Sequence, residues 1–93
     1  MLNNYKIFET NEFLKKMQKI PKRNKAFVEN KLTNFVYPQI KEEPYYGNNI
    51  KKLVGYQPET WRYRIGKYRI FYLIDKAEKT VYMLSVDLRK DAY

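Results

Sequence analysis

The sequence predicts an α+β fold in the order β-α-α-β-β-β, with two N-terminal helices packed on one face of a small, mainly antiparallel sheet. Three observations predict it. The apolar period changes from two to a helical spacing after residue 9. Prolines at 21 and 38 bracket the helical stretch. Between residues 61 and 87, three aromatic or β-branched runs follow one another with tight turns between them. At 93 residues the chain is expected to form one domain, residues 1–93, because a split would leave neither half with a core.

Each element has a local reason. Residues 5–9, YKIFE, alternate and suit a first strand. In TNEFLKKMQKI (10–20), Thr10 or Asn11 can cap, and Phe13, Leu14, Met17 and Ile20 form one helical face. Pro21 ends this helix and suits the first turn of the next. Residues 21–37 place Val28, Leu32, Phe35 and Val36 on a second buried stripe, and Pro38 is expected to close that helix. The segment 38–60 is punctuated by Pro38, Pro44, Gly47, Gly55 and Pro58. Within it NIKKLVG suits a short turn of helix or strand, with Ile50 and Leu53 inward. WRYRI (61–65), YRIFYLID (68–75) and TVYMLSVD (80–87) then make an antiparallel meander through the turns GK and KAEK.

Composition narrows the function. Seventeen per cent aromatic content belongs to a folded chain rather than a disordered one. With neither cysteine nor histidine, the chain has no disulfide, no thiolate metal site and none of the commonest general base. No apolar run reaches a membrane span, and MLNNYKIFET lacks the layout of a signal peptide, so a cytoplasmic protein is expected. A net charge of +9 suits a polyanionic partner, nucleic acid above all, although a lysine-rich surface also serves solubility. Residues 13–28 carry six Lys/Arg and no acid, which reads first as a solvated helix face and second as a basic docking edge.

The meander holds the sharpest signal. Arg62 and Arg64 fall on one face of their strand and Trp61, Tyr63 and Ile65 on the other, since alternate residues share a face. Across the turn, Arg69 can join the arginines, with Lys67 beside it, while Tyr63 and Tyr68 go to the core. No acid lies between Glu59 and Asp75. Like charges clustered on a sheet repel, so a solvated outer face competes with a surface built for phosphate. The choice of arginine, a planar fork of donors that stays charged, favours phosphate. Beside arginines, the phenol of Tyr93 would ionise below its usual pKa of about 10 and serve proton transfer.

The run KKLVGY…WRYRIGKYRIFYLIDKAEKTVYMLSVDLRKDAY resembles the C-terminal half of the RelE/ParE toxin superfamily of bacterial toxin–antitoxin systems. The shared pattern is K-L-x-G, a strand with R-x-R or K-x-K, G-x-Y-R, I/V-x-Y-x-I-D and a closing R-x-D-x-Y. The resemblance implies a ribosome-dependent mRNA endoribonuclease of RelE type. In that reaction a 2′-hydroxyl attacks the adjacent phosphate, leaving a cyclic phosphate and a 5′-hydroxyl, with no metal or cofactor. It implies Arg69, Arg89 and Tyr93 as catalytic residues, with Arg62, Arg64 and Lys67 holding RNA phosphate. Many relatives carry histidine where this chain has Leu88, which shifts proton transfer toward Tyr93, and neither Glu59 nor Asp91 is an obvious substitute. The alternatives are a ParE-like toxin that poisons gyrase by binding, or a member that binds without catalysis. Either toxin reading implies a cognate antitoxin, often acidic. The free toxin would be a monomer, and a heterotetramer is one form of the complex.

Overall fold

The computed structural model describes residues 4–88. It contains strand β1 (Lys6–Glu9), helices α1 (Asn11–Gln18) and α2 (Lys22–Lys31), a π-helical turn (Leu32–Val36) and helix α3 (Tyr37–Glu42). Strands β2 (Ile50–Lys52), β3 (Trp61–Ile65), β4 (Tyr68–Asp75) and β5 (Thr80–Leu88) follow. The five strands form one sheet in the order β1-β5-β4-β3-β2, antiparallel except for the parallel pair β1–β5. The predicted order therefore holds, and the ambiguous NIKKLVG segment supplies an edge strand.

Helix α1 starts where expected. Thr10 is the N-cap: its Oγ1 accepts from the Phe13 N–H at 3.2 Å and donates to the Met83 carbonyl at 2.6 Å. One side chain thus starts the helix and ties it to β5. Phe13 and Ile20 are buried, whereas Leu14 stays largely exposed.

The second helical stretch departs from expectation in two ways. It continues through Pro38 to Glu42, and Phe35 points out of the core, 54% exposed. The cause is the π-helical turn. Pro38 has no N–H to return to the Asn34 carbonyl and its ring would crowd that carbonyl. The backbone widens instead, and the Tyr37 N–H donates to the Leu32 carbonyl, five residues back. The wider turn also serves the core. Val28, Leu32, Val36 and Ile40 are all buried at intervals of four, a spacing that drifts about 40° per step on an α-helix of 3.6 residues per turn. A π-turn counteracts that drift and keeps the stripe on the sheet.

From the sheet, Tyr63, Ile65, Tyr68, Ile70, Tyr72, Val81, Met83 and Val86 complete one core. The hydroxyls of the three buried tyrosines on β3 and β4 are engaged. Tyr63 donates to Gln39 Oε1 at 2.6 Å, Tyr72 donates to the Pro44 carbonyl at 2.8 Å, and Tyr68 accepts from Asn24 Nδ2 at 2.9 Å. Burial pushes the Tyr72 phenol well above its ordinary pKa, so it stays a neutral donor.

A β-bulge interrupts the β4–β5 ladder. Phe71 pairs with Ser85 but Tyr72 pairs with Met83, so Leu84 is the extra residue. Without it, strict alternation from Val81 and Met83 would turn Ser85 and Asp87 into the core. With it, Val86 is buried and Asp87 shares the side of the sheet opposite the helices.

Candidate nucleic-acid interface

The arginines gather as the sequence predicts. Arg64 on β3 is the direct cross-strand partner of Arg69 on β4, and Arg62 is the partner of Phe71 two residues along. Opposed Cα atoms in such a ladder stand about 4.5–5.5 Å apart, so the two guanidiniums project from one small area. Arg64 is exposed, while Arg62 and Arg69 are half-buried with their Nε atoms shielded from solvent. Their stems therefore lie against the sheet. Lys67 is exposed at the tip of the turn rather than on the sheet face. It follows Gly66, whose φ of +57° is the left-handed conformation that glycine tolerates.

Two contributors escaped the sequence reading. Lys51 on β2 is the register partner of Arg62 and extends the cationic face across a third strand. Asp87 on β5 is the register partner of Arg69 and brings an acid beside the arginines. Its Oδ1 accepts from Lys16 Nζ of α1 at 3.0 Å, and its Oδ2 accepts from Ser85 Oγ at 3.3 Å. The hydrogen bond to Asp87, and then its charge, hold the Lys16 ammonium above its usual pKa. The absence of acid between residues 59 and 75 was a correct local observation. The bulge delivers Asp87 from twelve positions beyond Asp75, a placement no local pattern announces.

Leu88 ends β5, opposite Tyr68 and 46% exposed. Arg89 and Tyr93 lie outside the described residues. Among the described residues there is no group of three carboxylates arranged to hold a metal ion. None of the helices described is long and apolar enough to cross a membrane.

Chemically, the described surface can bind and polarise a phosphodiester. Arginine forks supply paired donors, and the half-buried position of Arg62 and Arg69 strengthens each charge–phosphate contact relative to open water. The inner tyrosines cannot contribute protons to this face, because their hydroxyls point to Gln39, Asn24 and Pro44.

Comparison with known proteins agrees with this architecture. The family described as the ParE toxin of type II toxin–antitoxin systems, parDE, matches residues 7–93. No curated protein matches the chain by sequence at a significant level. Among solved structures, the toxin–antitoxin complex RelBE2 of Mycobacterium tuberculosis contains a chain 31% identical to this one. The TM-score is 0.74, with 98% of this chain and 97% of that one covered. The archaeal RelE–RelB complex of Pyrococcus horikoshii OT3 matches at 24% identity and TM-score 0.67, covering 96% and 99%. The isolated RelE toxin of E. coli shares the fold at 20% identity and TM-score 0.66, covering 95% and 87%. With 87 of its 93 residues matched to the family and this two-layer fold, the chain belongs to the ParE toxin family of type II toxin–antitoxin systems, within the RelE/ParE superfamily.

Proposed function

We propose that this toxin is a ribosome-dependent mRNA endoribonuclease that blocks translation. The observation that carries the reading is the opposed pair Arg64 and Arg69, with Arg62 and Lys51 alongside, on the sheet face away from the helices. A gyrase poison that acts by binding has no need of so compact a phosphate-binding cluster. Likeness to RelE-type chains adds support, strongest at 31% identity.

In this reading Arg69, Arg62 and Arg64 hold the scissile phosphate and Lys67 a neighbouring one. The 2′-hydroxyl loses its proton to a base and attacks phosphorus; the P–O5′ bond breaks, and the departing 5′-oxygen takes a proton. Tyr93 carries proton transfer and Arg89 charge stabilisation, the roles that the closing R-x-D-x-Y pattern implies. Arginine side chains act only electrostatically, because they do not deprotonate in proteins.

The partner in the cell is a cognate antitoxin, as in the RelB–RelE complexes this chain resembles. An acidic antitoxin segment would wrap the basic surface, burying apolar residues and screening its charge. The free toxin is a monomer, and one heterotetramer form of the complex fits the family.

The test is in-vitro translation of a defined message with mapping of new 5′ ends, for the wild type and Arg69→Ala. Cuts inside codons that require ribosomes and vanish with Arg69→Ala support the reading. An intact message overturns it, and loss of gyrase supercoiling activity would then establish the second reading, which the ParE family match favours.

A further inference from the structure

Two aromatic residues of the second helical stretch, Phe27 on α2 and Phe35 in the π-helical turn, stay out of the core, 44% and 54% exposed. With Lys31 they sit at intervals of four, and the Lys31 ammonium lies 5.8 Å from the Phe27 centroid and 4.5 Å from that of Phe35. This stripe flanks the β3–β4 turn. The Phe27 ring edge lies 3.4 Å from where a Cβ on Gly66 would stand, so the turn packs beside the helix at ordinary contact distance. Between stripe and strand, beyond the end of β2, opens a pocket of about 210 Å³. Phe35, Lys31, Asn49 and Arg64 contribute to its lining together with the helix-facing Tyr63 and Ile65, and no acid does.

We infer that this pocket receives one nucleobase of the bound RNA, stacked on Phe35. Four features point there together. A flat aromatic wall suits a base, whose π-face stacks without regard to sequence. The Asn49 side-chain amide offers both a donor and an acceptor to read a base edge. The volume falls below the roughly 300 Å³ at which drug-sized pockets begin, so it fits a single ring system rather than a helix. Finally, Arg64 both lines the pocket and opposes Arg69 in the phosphate cluster. Arg64 lies just beyond the last β2–β3 pair, at the sheet's edge, so a nucleotide whose phosphate rests on its guanidinium can turn its base over that edge toward Phe35, with Lys31 near the adjoining backbone.

This inference rests on the RNA reading of the arginine face, and the experiment separates the two. Bacterial ribosomes programmed with a short message are cut under single-turnover conditions, and the toxin concentration giving half-maximal rate is measured. Abasic nucleotides are placed one at a time beside the cut. Phe35→Ala is expected to raise that concentration about 5- to 150-fold, the range of one lost stacking contact. An abasic site at one position should raise it comparably for the wild type and add little for Phe35→Ala. Phe35→Tyr should behave as wild type, and Phe35→Leu, equally apolar but without a flat ring, should not.

Wild-type response to Phe35→Ala, with a large loss for Arg69→Ala, overturns the base pocket and leaves the RNA reading intact. Full activity of Phe35→Leu together with indifference to every abasic site also overturns it, and assigns the stripe to an apolar protein partner. A message left intact by the wild type removes both readings.

Discussion

The hairpin of β3 and β4 has two faces made by alternate residues, and they are built to opposite specifications. Tyr63, Tyr68, Ile70 and Tyr72 face the helices, buried, with the tyrosine hydroxyls bound to protein partners. Arg62, Arg64 and Arg69 face away, and Arg64 stands against Arg69, like charge beside like charge, with Asp87 the neighbouring acid. One face satisfies its polar groups and holds the domain together. The other concentrates like charge in a form that a bound phosphate offsets. Because the two sets interleave, single substitutions one residue apart should separate stability from activity.

The inner face should give the largest effect. Tyr72→Ala removes a fully buried ring and is expected to cost about 3–5 kcal/mol, a large share of the stability of a domain this small. Tyr72→Phe leaves the Pro44 carbonyl without its donor and should cost about 1–3 kcal/mol. Urea unfolding midpoints measure both, and a Tyr72→Phe variant as stable as wild type would show that the hydroxyl is not what fixes this face.

On the outer face, Arg69→Ala should lower cleavage about 10²- to 10³-fold, the range for losing one transition-state donor. Its urea midpoint should stay within about 0.5 kcal/mol of wild type, since Arg69 stands between the like charge of Arg64 and the acid Asp87. Equal damage to both properties would merge the two faces into one cooperative unit.

Tyrosines in and against the core also predict alkaline behaviour. Burial, first among the causes, raises the Tyr37 and Tyr72 phenols, and it pushes Tyr45 up to about 12 with help from a hydrogen bond to Tyr5. A folded-state pKa above the unfolded value of about 10 means the native state holds the proton more tightly. Their contribution is complete below pH 10 and is lost as pH rises from about 10 toward 12 and beyond. Absorbance at 295 nm should show phenolate appearing together with unfolding. Smooth ionisation of all tyrosines in a still-folded protein at pH 10 would contradict the burial argument.

The hairpin shows what the sequence discloses and what it hides. Period-two alternation places Arg62, Arg64, Tyr63 and Tyr68 correctly, because strand geometry leaves a side chain only two directions. The helical stripe places Val28, Leu32 and Val36 but misassigns Phe35, because Pro38 acts on the backbone before it rather than ending the helix. Asp87 is hidden for a similar reason: a single inserted residue, Leu84, inverts the facing of all that follows in β5. Lys51 becomes part of the cationic face only through pairing with Arg62, a long-range register with no local signature. Errors thus fall at a π-turn and a bulge, places where one residue of phase is gained.

A smaller effect is expected at Thr10, where the cap joins α1 to the strand just before the bulge. Thr10→Ala should cost about 0.5–2 kcal/mol through loss of the Phe13 N–H acceptor and the bond to Met83. Circular dichroism melts at fixed pH would read it.

The smallest effect tests a contact that ties the helices to the outer face. Lys16 holds Asp87 at 3.0 Å with both side chains more than a third exposed, so Lys16→Ala should cost under about 1 kcal/mol, and less still at high salt. Its consequence for activity is more informative. Without Lys16, the Asp87 charge falls more fully on Arg69, its register partner, and competes with phosphate for the guanidinium. Cleavage should fall by less than about 10-fold, one decade per 1.4 kcal/mol, with the loss shrinking as salt screens the acid. Asp87→Asn should abolish the effect of Lys16→Ala. If the double variant is instead as impaired as the single one, Lys16 acts on the polyanion directly and the basic edge of α1 belongs to the binding surface.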